Sequence, residues 1–163
     1  MYITIPPFKP GIPLATRSGK KIENEQRYDR HPSAMQEAVK IWLTQFPNIT
    51  PRSLTAIYDC MGLVFASRRT WIDISLINFI LHEDGYHQIN ITNVELGDII
   101  IYRNINTITH VGIIIEKKPS IEPAKWNIRV MSQWGADGEY IHSSADIPHL
   151  YGVDAEYWTD RKQ

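Results

Sequence analysis

Near residue 90 the chain changes its hydrophobic period. Before that point apolar residues recur at helical spacing, and after it they come as short runs separated by turns. Met35, Ala38, Val39, Trp42 and Phe46 make one apolar helix face; Pro32 precedes it, Ser33 and Gln36 resemble a capping box, and Pro47 ends it. A second helical signal covers residues 60–66. A third starts with Asp73 as N-cap, carries Ile74, Ile77, Ile80 and Leu81 on its face, and stops at Gly85. The strand-like runs are residues 98–102, 110–115 and 126–133, with residues 117–125 between the last two reading as a loop because of Pro119 and Pro123. After a Gly135–Gly138 turn, residues 139–142 are expected to pair again, and residues 155–158 to add an edge strand. Helices first and short-looped strands afterwards predict an α+β fold, with N-terminal helices packed on a small, mostly antiparallel sheet.

Residues 1–31 read as an extended arm and residues 32–163 as a single domain. Pro6, Pro7, Pro10 and Pro13 interrupt regular pairing, and residues 17–30 offer little apolar surface, so this arm is either a strap or disordered. Met1-Tyr2-Ile3-Thr4-Ile5 lacks the charged and apolar regions of an export signal, and no run approaches the roughly 20 apolar residues of a membrane-spanning helix. With 17 basic against 18 acidic residues, the net charge of −1 gives no pull toward nucleic acid or an anionic membrane. The expectation is a cytoplasmic protein that binds neither, with the arm as the surface open to a protein partner.

A single cysteine, Cys60, excludes an internal disulfide and any multi-thiolate metal site. Its usual role would be that of a small buried hydrophobe. Here Tyr58-Asp59 precedes it and an apolar helical run follows, which puts the thiol in the first turn of a helix. The orphan amides and dipole there would lower its pKa and could serve an oxyanion. A thiol nucleophile needs a base, normally a histidine held by a third polar group. Of the six histidines, His110 opens an apolar strand after a hairpin, whereas His31, His82, His87 and His149 suit solvated or capping positions. His82 and His87 are five apart with Gly85 between, which argues against a helical metal pair. No cofactor fingerprint occurs.

Tyr58-Asp59-Cys60-Met61-Gly62-Leu63-Val64 resembles the nucleophile motif of the NlpC-like branch of the papain-fold cysteine peptidases. Residues 96–102, with Gly97-Asp98 before an apolar strand, and His110-Val111-Gly112-Ile113 resemble that family's next two segments, in the same order and spacing. The resemblance covers roughly residues 56–133. It implies a cysteine-bearing helix against an antiparallel sheet, with Cys60 as nucleophile, His110 as base, and a third polar residue on the following strand. Ser132 and Gln133 are the candidates there and alternate in face; Gln133 is preferred because an amide oxygen can accept from an imidazole N–H. His142 fits only if the Gly135–Gly138 turn folds back. Tyr58, Asp59, Met61, Ser132 and Trp134 are the candidate substrate contacts. Met61 stands where the cell-wall enzymes usually have a serine that helps hold a peptide's free amine. The stretch from Ser132-Gln133-Trp134-Gly135 to Tyr151-Gly152 also resembles a group of bacterial domains with a similar ending.

The function implied is that of a cysteine-dependent peptidase or amidase working through an acyl-enzyme on a peptide or amide substrate. Acyl transfer or deamidation by the same pair, as in a delivered effector, and a non-catalytic binding domain on the same fold are the alternatives.

Overall fold

A computed structural model describes residues 8–162. Its elements in chain order are β1 (Phe8–Lys9), β2 (Gln26–Arg27), α1 (Pro32–Gln45), β3 (Thr50–Ser53), α2 (Cys60–Phe65), α3 (Ile77–Glu83), β4 (His87–Ile89), β5 (Ile99–Asn104), β6 (Thr107–Pro119), β7 (Trp126–Gln133), β8 (Glu139–Ser143) and β9 (Asp154–Thr159). The last nine of these, apart from α2 and α3, form a seven-stranded antiparallel sheet in the order β3-β8-β7-β6-β5-β9-β4. The α+β class read from the change of period is therefore the one found.

The four consecutive apolar residues that open β5 are buried on both sides, which is why their pattern is continuous rather than alternating. Ile99 and Ile101 join Val111, Met61, Ile77, Ile80 and Leu81 in the cluster under α2 and α3. Ile100 and Tyr102 point the other way, into a cluster with Ile114, Ile128 and Val130. A third cluster sets Trp134 and Tyr140 against Val39, Trp42, Leu43 and Phe46 of α1 and its end.

Several boundaries differ from the sequence expectation for local reasons. Helix α1 is capped by His31, whose ring accepts from the Ser33 amide, with Pro32 already in the first turn. The third helix begins as a 3-10 turn over Ile74–Leu76, capped by Asp73, before α3 proper. Strand β6 runs through Lys117 and Lys118, expected as loop, because a register shift between Ile114 and Glu116 realigns it with β7. Pro119 ends the strand opposite Trp126, a position proline tolerates. Residues 50–53 make the sheet-edge strand β3 despite Pro51. β9 is an inner strand between β5 and β4 rather than an edge.

Among the described residues the arm is a strap. Asn24 bonds both ways with the Ile12 backbone, Glu25 and Trp71 exchange backbone hydrogen bonds of 3.0 and 2.9 Å, and Ile22 is buried in the α2–α3 cluster. Pro6, Pro7 and the reading of residues 1–5 lie outside the described residues. Among those described, no helix is long and apolar enough to cross a membrane.

Candidate active site

Asp59 starts α2 by accepting from the Gly62 amide at 2.7 Å, and the same oxygen accepts from the Ile72 amide at 3.2 Å. Cys60 is thereby the first helical residue. Gly62 lets the helix close on the chain ahead of it: a Cβ there would sit 1.8 Å from the Thr70 carbonyl oxygen. Packed this way, Cys60 lies against the core cluster that includes Val111, the residue after His110.

Two expectations about this corner change with its geometry. Met61 is fully buried in the core cluster with Ile22 and Ile72, facing no cleft. The Tyr58 hydroxyl, also buried, donates to Glu139, a carboxylate that takes two hydrogen bonds from Arg68 at 2.9 and 3.0 Å. Glu139 anchors the Tyr58 segment to β8, and nothing in its own strand pattern marks it for that task.

The thiol is not lowered by its helix end. Burial, and then the Asp59 carboxylate, push Cys60 up to about 12, and hydrogen bonds from the Val111, Met61 and Cys60 backbone only partly oppose them. A six-residue helix whose first turn packs against the core loses more to desolvation than its dipole returns. His110 is 1% exposed, and burial, then the proximity of His142, hold its imidazole well below the usual histidine range. Cys60 and His110 therefore rest as a neutral thiol and a neutral imidazole. Burial likewise holds Asp59 up at about 6, against its backbone hydrogen bonds.

Tyr151, which the sequence did not single out, covers this corner. Its ring stacks on His110 with centroids 4.2 Å apart and planes at 18°. The Thr109 hydroxyl donates to its carbonyl, and the following Gly152, at φ 104°, lies so close to Arg103 that a Cβ would be 2.4 Å from the Arg103 carbonyl oxygen. That glycine after a tyrosine is the one sequence sign that the segment folds back. A pocket of about 450 Å³ between the strap and residues 71–76 is lined by Asp59, Glu25 and Trp71, among others, but by neither Cys60 nor His110.

Beyond His110 lie the residues proposed for its third partner. The pairing of β6 with β7 starts at Ile113 opposite Met131, so His110 sits past its end. The Ser132 Oγ bonds to His142 Nε2 at 2.7 Å and accepts from Trp134 Nε1 at 3.1 Å. The turn through Gly135–Gly138 does fold back, closed by the Trp134 amide on the Gly138 carbonyl at 2.8 Å, and brings His142 opposite Val130. Gln133 uses its amide nitrogen on the Thr55 and Gly135 carbonyls at 2.8 and 3.1 Å. Trp134 is 1% exposed and packs edge-on against Trp42 and Phe46. His110 Nε2 and Gln133 Oε1 are buried without a hydrogen-bond partner. Among the described residues, no three His, Cys, Asp or Glu side chains are placed to hold a metal ion.

No curated protein and no solved structure matches the chain. Residues 49–162, which span α2, α3 and the whole sheet, match the NlpC/P60 family. The chain thus belongs to the NlpC/P60 family, whose papain-like fold generally serves cysteine peptidases and amidases.

Proposed function

We propose that the protein is a thiol hydrolase of peptide or amide bonds in which Cys60 is the nucleophile and His110 its base. His110 takes the thiol proton as the sulfur attacks the carbonyl carbon; the proton passes to the departing amine, leaving a thioester on Cys60. Water, deprotonated by the same ring, then releases the acid and the free thiol. The observation that carries this reading is the packing of Cys60 against the core cluster that includes Val111, the residue after His110 on β6. The neutral resting pair suits general-base activation rather than a standing thiolate.

The test is hydrolysis of a library of acyl-peptide amides by wild type and Cys60→Ala, with intact-mass detection of the acyl-enzyme. Loss of turnover and of the covalent adduct in the variant supports the reading, and turnover that survives the change overturns it. A second reading, a binding domain that has kept the fold, is favoured by Tyr151 lying on the face of His110. Absence of an adduct with any acyl donor in both wild type and Tyr151→Ala would decide for that reading.

A further inference from the structure

Among the described residues, His110 Nε2 is the one buried histidine nitrogen without a hydrogen-bond partner, so no direct hydrogen bond fixes the tautomer of this base. The proton order in the side chains beyond it can be assigned atom by atom. The Ser143 carbonyl can only accept, so the proton of neutral His142 is on Nδ1, 2.8 Å from that oxygen. Its Nε2 is then an acceptor, and at 2.7 Å the Ser132 hydroxyl must donate to it. Trp134 Nε1 can only donate, and fills one of the two acceptor sites of Ser132 Oγ. One lone pair of that oxygen is left.

Strand geometry puts the Ser132 side chain on the face of β6 that carries His110. Residues two apart on a strand share a face, so His110 shares one with Gly112. A Cβ on Gly112 would lie 3.1 Å from the Ser132 Cβ, so the glycine leaves room for the serine to face that side of β6. The imidazoles of His110 and His142 are near enough for one to weigh on the other's protonation. Gln133, next along the strand, points to the opposite face and spends its donors on Thr55 and Gly135.

We propose that His142, acting through the Ser132 hydroxyl, is the positioning residue for His110. By taking the Ser132 proton, His142 obliges that oxygen to be an acceptor, and its last lone pair receives the proton of His110 Nε2 as the ring becomes charged. His110 is thereby held with Nδ1 as its free acceptor, the state a general base requires. Without His142 the Ser132 proton turns toward His110 Nε2 and imposes the opposite tautomer. This inference rests on the reading of His110 as the base of Cys60. The contact is long in the empty site, where the Ser132 oxygen already favours a proton on the nitrogen it faces, and it shortens as the ring becomes charged.

The test compares wild type, His142→Phe, His142→Gln, Ser132→Ala, the His142→Phe/Ser132→Ala double variant and His110→Ala. Imidazole ¹⁵N shifts report the His110 tautomer, and p-nitrophenyl acetate serves as the acyl probe for Cys60. In wild type, His110 is expected as the Nε2–H tautomer. His142→Phe should shift it toward Nδ1–H and slow acylation by about tenfold or more, the size typical of lost outer-shell partners. His142→Gln, whose amide oxygen can take the Ser132 proton, should recover most of the rate. The double variant should be no slower than His142→Phe alone, because the misdirected hydroxyl is gone, and the His110 tautomer is the readout that a merely structural role would not move. Should His142→Phe fail to fold, Ser132→Ala carries the test alone, with His110 then expected as a mixture of tautomers. An unchanged His110 tautomer in His142→Phe or Ser132→Ala, or additive losses, overturns the proposal. If His110→Ala leaves acylation unchanged, the base assignment fails instead, and the tautomer spectra still decide the role of His142.

Discussion

A native protein whose only thiol is nearly inert at neutral pH is the first consequence of this geometry. Burial and the neighbouring Asp59 carboxylate push Cys60 from its ordinary 9.0 up to about 12. Each pKa unit is tenfold in thiolate below the pKa, so at pH 8 the folded thiol carries about a thousandfold less thiolate than the unfolded one. Iodoacetamide should therefore modify Cys60 roughly a thousandfold more slowly in the native protein than in guanidinium. Tyr151 is the removable part of the cover: its ring lies on His110, and its own phenol is pushed up by burial and then by the nearness of Cys60. Tyr151→Ala should restore at least one unit, or about tenfold in rate. Leu150→Ala, which trims an exposed neighbour on the same segment, should change nothing. The rate is read by intact mass against time, in the native state and after denaturation. A native wild-type rate within tenfold of the denatured one would refute the desolvation argument. A Tyr151→Ala rate equal to wild type would refute the assignment of that ring as the cover.

Three further outcomes follow from single side chains. Asp59 is held up at about 6 by burial, so the fold favours its protonated form, and this group's contribution falls as pH rises from the ordinary 3.8 through 6. Asp59→Asn keeps a capping oxygen without the charge; it should be more stable than wild type by about 2 kcal/mol at pH 7.5 and by little at pH 3.5, as measured by urea midpoints. Burial pushes the Glu139 carboxyl up, but Arg68 and Tyr58 outweigh it and hold it below the ordinary 4.5, so its contribution is present above that value and lost as pH falls through the folded one. Glu139→Ala leaves Arg68 and Tyr58 without their acceptor and should lower stability by about 3–5 kcal/mol at pH 7, with a smaller difference at pH 3. Gly62→Ala drives a methyl into the Thr70 carbonyl and should cost about 1–3 kcal/mol in thermal melts while displacing Cys60 and slowing its acylation.

Class, helix order and most strands were legible because they depend on local patterns: the face Met35-Ala38-Trp42, the Asp73 cap, the glycine stop at Gly85. What was not legible depends on contacts between distant segments. β3 is a strand only because β8 lies beside it, and nothing in residues 50–53 favours pairing. β9 looked like an edge because its outer partner, β4, is three residues long. The strap was undecided in the sequence because its order comes from Trp71, Asp84 and Asp160, far along the chain. Cys60 shows the same limit in energetic form: its helix end is visible in the sequence, but the burial that outweighs that end belongs to the assembled fold.

The choice between Ser132 and Gln133 turns on one residue of register. Alternation says that the two face opposite ways, and only the pairing of β6 with β7 says which of them faces His110. That pairing contains a shift between Ile114 and Glu116, and a shift of one residue exchanges the faces of everything beyond it. Side-chain chemistry, taken alone, selects the amide, since a lone hydroxyl makes an indifferent acceptor with a proton free to point anywhere. The hydroxyl becomes a directed acceptor only when a second group claims its proton, and that group, His142, comes from the next strand through a turn whose closure depends on Gly135 and Gly138 at positive φ. A serine in this position therefore carries meaning only together with the hairpin that brings a histidine behind it.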